Sequence, residues 1–190
     1  MKPHHYVLLA ILLMVLIMPC AAKSPPAFIT PGMKITYTAA LSNYYSLYDT
    51  NPDKWEQFEG TGVYGYWVDF INSADGNVYS GQSTIYDHFS GNILVDYPWT
   101  YQPGDEGMGL FWIDTDKGFF TSQNLVAEGP LDYAGITWNA QTYYFSNLGS
   151  SFDTKITIDR DSGILLSKNE GLTGSNGQMQ RAVYILKSFE

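Results

Sequence analysis

Residues 152–166 read FDTKITIDRDSGILL, and this stretch decides the class of fold. Phe152, Thr154, Ile156 and Ile158 alternate with Asp153, Lys155, Thr157 and Asp159. A repeat of two places the first set on one face of a strand and the second on the other. Arg160 to Gly163 supplies turn residues, and Ile164-Leu165-Leu166 resumes an apolar strand, so the stretch predicts a β-hairpin. Working outward, Val183 to Phe189 is apolar on both faces and is expected inside the sheet. Val63 to Ile71 (VYGYWVDFI) is apolar on both faces except at Asp69, as in a central strand. Asn72 to Gly76 reads as a turn, with Val78 to Tyr86 as the returning hairpin partner. Met33 to Ala39, Ile93 to Tyr97, Gly109 to Asp114, Phe119 to Val126 and Ile136 to Phe145 are further expected strands.

Turn residues recur every ten or so positions between aromatic and β-branched runs, the pattern of a sandwich or barrel-like sheet. Helix is minor. Leu41, Tyr44, Tyr45 and Tyr48 fall at helical spacing, and Asn51-Pro52 offers an N-cap and first-turn proline for a brief turn through Phe58. The expectation is a mainly β chain, with one antiparallel sheet domain over residues 33–190 built as a sandwich or a curled half-barrel. An extended leader over residues 23–32 precedes it.

Residues 1–22 stand apart. Lys2 with His4 and His5 precedes an apolar run from Tyr6 to Met18, closed by Pro19-Cys20-Ala21-Ala22. That is the three-part layout of a secretory signal peptide cleaved after Ala22, and its run is short of the about 20 residues of a membrane span. The chain is expected to be secreted, periplasmic or on the cell surface, with no integral membrane span after cleavage. The full chain carries 10 basic and 19 acidic residues, for a net charge of −9. With no basic stripe to offset that charge, nucleic-acid partners are disfavoured.

Cysteine and histidine narrow the chemistry further. Cys20 is the only cysteine and lies in the signal, and His88 is the only histidine outside it. His/Cys zinc sites, haem attachment and a cysteine nucleophile are unavailable, and no G-x-S-x-G surrounds any serine. His88 reads as a strand-end residue. No catalytic residue is predicted, and the chain is expected not to be an enzyme. A glycoside-type hydrolase is the outside alternative, resting only on acid pairs such as Glu56/Glu59 and Asp105-Glu106.

One echo recurs. Ile113-Asp114-Thr115-Asp116-Lys117-Gly118 and Ile158-Asp159-Arg160-Asp161-Ser162-Gly163 both read I-D-x-D-x-G. Carboxylates alternating around a tight turn can converge on Ca²⁺, with Asp114, Asp116, Asp159 and Asp161 as ligands. The favoured reading is plainer: each Asp bonds its own backbone and each Gly takes a left-handed turn position, with no cofactor.

The five tryptophans exceed what core filling asks of one domain. Trp67 and Trp112 read as core. Trp99, in Asp96-Tyr97-Pro98-Trp99-Thr100-Tyr101, reads as part of a proline-broken loop. Tyr97, Trp99 and Tyr101 are therefore the candidate ligand-binding residues, since loop aromatics offer flat apolar area with a polar tip.

The hairpin Lys155 to Leu166 (KITIDRDSGILL) resembles the strand, Asp-x-x-(Ser/Thr)-Gly turn, strand signature of exported lipoprotein-carrier-like proteins of the LolA/LppX type. The resemblance implies a sheet curled into a half-barrel whose concave apolar face takes up acyl chains. Two functions follow as expectations. The first is a binding module recognising a glycan or an envelope protein through an exposed Tyr97/Trp99/Tyr101 platform. The alternative is a carrier of an apolar small molecule or lipid, with one face of Val63 to Ile71 and of Ile136 to Phe145 lining a cavity.

Overall fold

A computed structural model describes residues 24–42, 62–116, 120–147, 152–173 and 179–190. The signal-like residues 1–22, the helical spacing from Tyr44 onward, the turn from Asn51, Trp55, the Glu56/Glu59 pair and Lys117 to Phe119 lie outside them. The described residues form eleven strands: β1 Lys34–Ser42, β2 Gly62–Asp75, β3 Val78–Asp87, β4 Ile93–Tyr101, β5 Gly107–Met108, β6 Trp112–Ile113, β7 Leu125–Tyr133, β8 Ile136–Asn147, β9 Phe152–Asp159, β10 Leu165–Thr173 and β11 Met179–Phe189. No helix occurs among the described residues.

Nine strands make one antiparallel sheet in the order β4-β3-β2-β1-β11-β10-β9-β8-β7. The sheet is open, with β4 and β7 as its edges. Its alternation follows the sequence: Ile35, Tyr37 and Ala39 of β1 are buried on one face, beside Trp67, Asp69 and Ile71 of β2. We call this the inner face. β11 lies in the middle of the sheet between β1 and β10, as its two-sided apolar pattern predicts.

The chain leaves β4 at one edge and must reach β7 at the other. Residues 102–116 run over the inner face in that crossing, as a strap carrying the small β5-β6 ribbon. Met108, Phe111 and Trp112 on this strap are at most 1% exposed. At its far side the strap bonds to the β9–β10 turn. Ile113 N–H donates to Gly163 O at 3.0 Å, Leu165 N–H to Phe111 O at 2.8 Å, and the Trp112 indole N–H to Ser162 O at 2.9 Å. The expected strand Gly109 to Asp114 is thus only the two-residue β6. A strap tethered to a turn has no neighbouring strand along which a longer ladder could form.

The 159–163 turn is built as the sequence reading favoured. Asp159 accepts from Ser162 N at 2.9 Å and Ser162 Oγ at 2.6 Å, and Gly163 takes φ +77°. A Cβ at Gly163 would lie 2.6 Å from Ile113 O, so glycine is required by conformation and by the strap together.

Four expectations are corrected. Tyr97, Trp99 and Tyr101 stand on strand β4, not in a loop: Pro98 is tolerated there because β4 is an edge. The expected turn at Asn72 is tighter, since β2 runs to Asp75 and turns at Gly76-Asn77. The strand after Ile164-Leu165-Leu166 continues to Thr173. Residues 24–32 are not simply extended, because Ile29 turns back and is buried at 3% exposure, and Gly32 N–H donates to Ile71 O at 2.8 Å.

Replacing Gly163 by Ala is expected to lower unfolding free energy by roughly 2 kcal/mol or more, from the left-handed backbone and the Ile113 contact combined. Urea denaturation checks this. An unchanged midpoint would mean that the strap does not depend on this turn.

Candidate ligand-binding cavity

Strand β4 alternates. Val95, Tyr97, Trp99 and Tyr101 share the inner face, while Asp96 lies outside and accepts from Gln82 Nε2 and Thr84 Oγ1 at 2.7 and 2.8 Å. Trp99 lies directly over Gly81 of β3, where any Cβ would fall inside the indole ring. Tyr101 is 3% exposed and meets Trp112 edge to face at 5.4 Å. The three predicted binding residues therefore do share a face, but they point into the molecule and form no exposed platform.

Between strap and sheet lies a cavity of about 500 Å³. That is within the roughly 300–1,000 Å³ usual for small-molecule sites. Trp67, Tyr97, Trp99, Trp112 and Tyr184 give it an aromatic wall, and Ile85, Val95, Ile156 and Leu165 complete the apolar lining. In a flat sheet β4 and β9 would be about 29 Å apart, at about 4.8 Å per strand. Val95 of β4 and Ile156 of β9 nevertheless line one cavity, so the sheet curls around it. Of the two segments expected to line a cavity, β2 contributes Trp67, and β8 contributes none of the lining residues. The overhanging tip of the β7–β8 hairpin packs elsewhere, where Trp138 meets Phe189 at 5.8 Å.

The strap's Glu106 and Thr100 of β4 also line the cavity, and two further polar features lie in or beside this apolar interior. Asp69 is fully buried on β2. Its carboxylate accepts from Ser83 Oγ and, at 3.0 Å, from Leu110 N–H on the strap. The indole N–H groups of Trp67 and Trp99 face the same carboxylate without closing hydrogen bonds to it. Burial pushes the carboxyl up from 3.8 to about 6, against the opposing pull of these donors. Gly109, at φ +54°, lets the strap approach: a Cβ there would lie 2.9 Å from Asp69 Oδ1. Burial also raises the neighbouring Tyr37 hydroxyl, which donates to Leu165 O at 2.8 Å. The second feature is the pair Lys168 Nζ and Glu170 Oε2, 2.7 Å apart on the inner face of β10. Both residues line the cavity.

Sequence reading missed Lys168, Glu170 and Tyr184. Asp69 alone had a signal, as the single charge in an otherwise apolar strand.

The aspartates of the echo are engaged in local turns and surface contacts. Asp159 serves its turn, Asp114 Oδ1 accepts from Asp116 N at 3.1 Å, and Asp161 accepts from Asn139 Nδ2 at 3.3 Å. Among the described residues no three His, Cys, Asp or Glu side chains converge as candidate metal ligands. His88 lies in an exposed turn, edge-on to Tyr66 at 5.5 Å.

The Asp69 carboxyl sets a pH dependence with a definite sign. Its folded value of about 6 lies above the unfolded 3.8, so it favours folding fully below 3.8 and loses that contribution as pH rises through 6. The difference is on the order of 3 kcal/mol. Relative to Asp69→Asn, the wild type is expected to gain about that much stability between pH 7 and pH 4, read by denaturant titration at each pH. A pH-independent difference between the two proteins would refute the buried-carboxyl assignment.

The sequence matches no protein-family model and no curated protein, so function is to be read from the chemistry of the cavity itself.

Proposed function

We propose that this protein is an exported, non-catalytic binding protein that holds an apolar small molecule between its curled sheet and strap. The observation that carries this reading is the aromatic wall of the cavity, Trp67, Tyr97, Trp99, Trp112 and Tyr184 around about 500 Å³. Aromatic rings give a ligand large apolar contact with little side-chain entropy to lose. A ligand that buries about 250 Å² of apolar surface there gains on the order of 6 kcal/mol before the costs of association. Affinity is accordingly expected in the micromolar range or weaker unless polar contacts add to it.

Recognition of a glycan or envelope protein by an exposed platform is the weaker reading, because the rings it needs are turned inward. Action outside the cytoplasm rests on residues 1–22 alone. No helix among the described residues is long and apolar enough to cross a membrane, a statement that does not bear on strands.

Native mass spectrometry of the protein recovered from its own host is expected to show an adduct of a few hundred daltons, lost on denaturation. In parallel, an uncharged polarity-sensitive dye such as N-phenyl-1-naphthylamine should brighten on binding. Ile156→Trp, which fills the cavity from its wall, should weaken the dye by roughly tenfold or more, equivalent to about 1.4 kcal/mol. Equal dye binding by this variant, together with a clean apo mass, would overturn the reading.

A further inference from the structure

Resting on that reading, we infer that the ligand is an organic cation: an apolar body carrying an alkylated ammonium group, seated against the aromatic wall at Trp67 and Tyr97.

The arrangement of the rings makes the first part of the case. Trp67 of β2 meets Tyr97 at 6.0 Å and Tyr184 at 5.4 Å, with interplanar angles of 82° and 88°. In strand order β2 lies between β4, which carries Tyr97, and β11, which carries Tyr184. The three rings thus bracket the cavity with walls set at right angles, and Trp99 and Trp112 extend the lining. Each ring carries negative charge density on its faces. A cation within about 6 Å of such a face is attracted to it, most strongly at tryptophan. An uncharged body gains only from the area of these rings, whereas a cation draws on their faces as well.

The charges in and beside the cavity are unbalanced in the matching direction. Glu106 and Glu170 line it against Lys168 alone. The Lys168 ammonium is already met by Glu170 at 2.7 Å, on the β10 side of the cavity. Behind the wall lies Asp69, fully buried, with the indole N–H groups of Trp67 and Trp99 facing its carboxylate. Raised only to about 6, this carboxyl is ionised at neutral pH. Three carboxylates against one ammonium leave the site negative, within a chain whose net charge is −9. The cavity is open to solvent and Glu106 is exposed, so this field reaches outward and draws cations in.

The same lining sets the kind of cation. A primary ammonium is compact, holds its water tightly and asks for three acceptors. Replacing its hydrogens by alkyl groups spreads the charge over a weakly hydrated surface, which ring faces and aliphatic side chains can cover. Ile85, Val95 and Ile156 complete that cover for the apolar body. An anion of the same shape would meet the ring faces and the excess carboxylates with the wrong sign.

The test is displacement of N-phenyl-1-naphthylamine from the full chain by three competitors: benzyltrimethylammonium, its uncharged carbon isostere neopentylbenzene, and phenylmethanesulfonate. The wild type is expected to bind the cation about tenfold more tightly than the isostere, with the sulfonate weakest. Raising sodium chloride from about 0.05 M to about 0.5 M should narrow the gap between cation and isostere. Asp69→Asn and Glu106→Gln should each cut the cation's advantage by roughly threefold. Tyr97→Leu, which keeps the lining apolar but removes a ring face, should do the same. Wild-type protein that binds the isostere or the sulfonate as tightly as the cation overturns the inference. So does an advantage that salt and all three variants leave unmoved. The wild-type comparison needs no variant, so it decides the matter even where a substitution impairs folding. Failure of the wild type to bind dye, with no effect of Ile156→Trp, would instead remove the cavity reading on which the inference rests.

Discussion

The crossing of the inner face governs this molecule. An antiparallel sheet whose consecutive strands are neighbours can be joined by short hairpins, and most connections here are of that kind. The link from β4 to β7 is different, because those strands are the two edges of a nine-stranded sheet. The chain must travel from one edge to the other, and the inner face is where it finds apolar partners. Met108, Phe111 and Trp112 bury themselves against Tyr101, Ile164 and Leu165, and the sheet curls around them. An open sheet of this length left uncovered would expose one apolar face. The strap supplies the second layer that a domain needs around one core.

Among the described residues a single strap does not fill the curled sheet from end to end. It is tied down at Asp69 through Leu110 N–H and at the 162–165 segment through Trp112, Ile113 and Phe111. Beside those tethers the rings of Trp67 and Tyr184 meet edge to face at 5.4 Å, Trp99 meets Phe111 of the strap at 5.9 Å, and the cavity opens alongside them. Among the described residues the cavity follows from topology: the strap over it is one segment wide, and the sheet is much wider. Polar groups within that interior carry a free-energy cost that packing does not repay. Asp69 offsets part of its cost with a backbone donor from the strap.

Much of the sheet was legible from residue pattern. β9 was read at its full extent, Phe152–Asp159, because its alternation is strict and one face is fully polar. β11 was placed inside the sheet by being apolar on both faces. β10 was read only at its start, because Ser167-Lys168-Asn169-Glu170 is four polar residues in succession. Such a run looks like a turn locally, and only its pairing between β9 and β11 makes it a strand. Trp99 was read as loop because of Pro98, whose missing N–H is harmless on an edge strand. That β4 is an edge is a fact about pairing order, which no local window contains.

The sequence by itself determined the class of fold, most strand identities and the chemistries that are unavailable, since these follow from alternation, turn residues and the counts of Cys and His. It also marked which residues share a face. Only the tertiary structure decided which of the two faces is covered. Alternation is symmetric between the faces, and the asymmetry comes from the strap, whose contacts join residues some fifty positions apart, as Trp112 and Ser162 do. For the same reason the inward aim of Tyr97 and Trp99, and the meeting of Lys168 and Glu170 with the aromatic wall, belong to the fold and not to any segment of it.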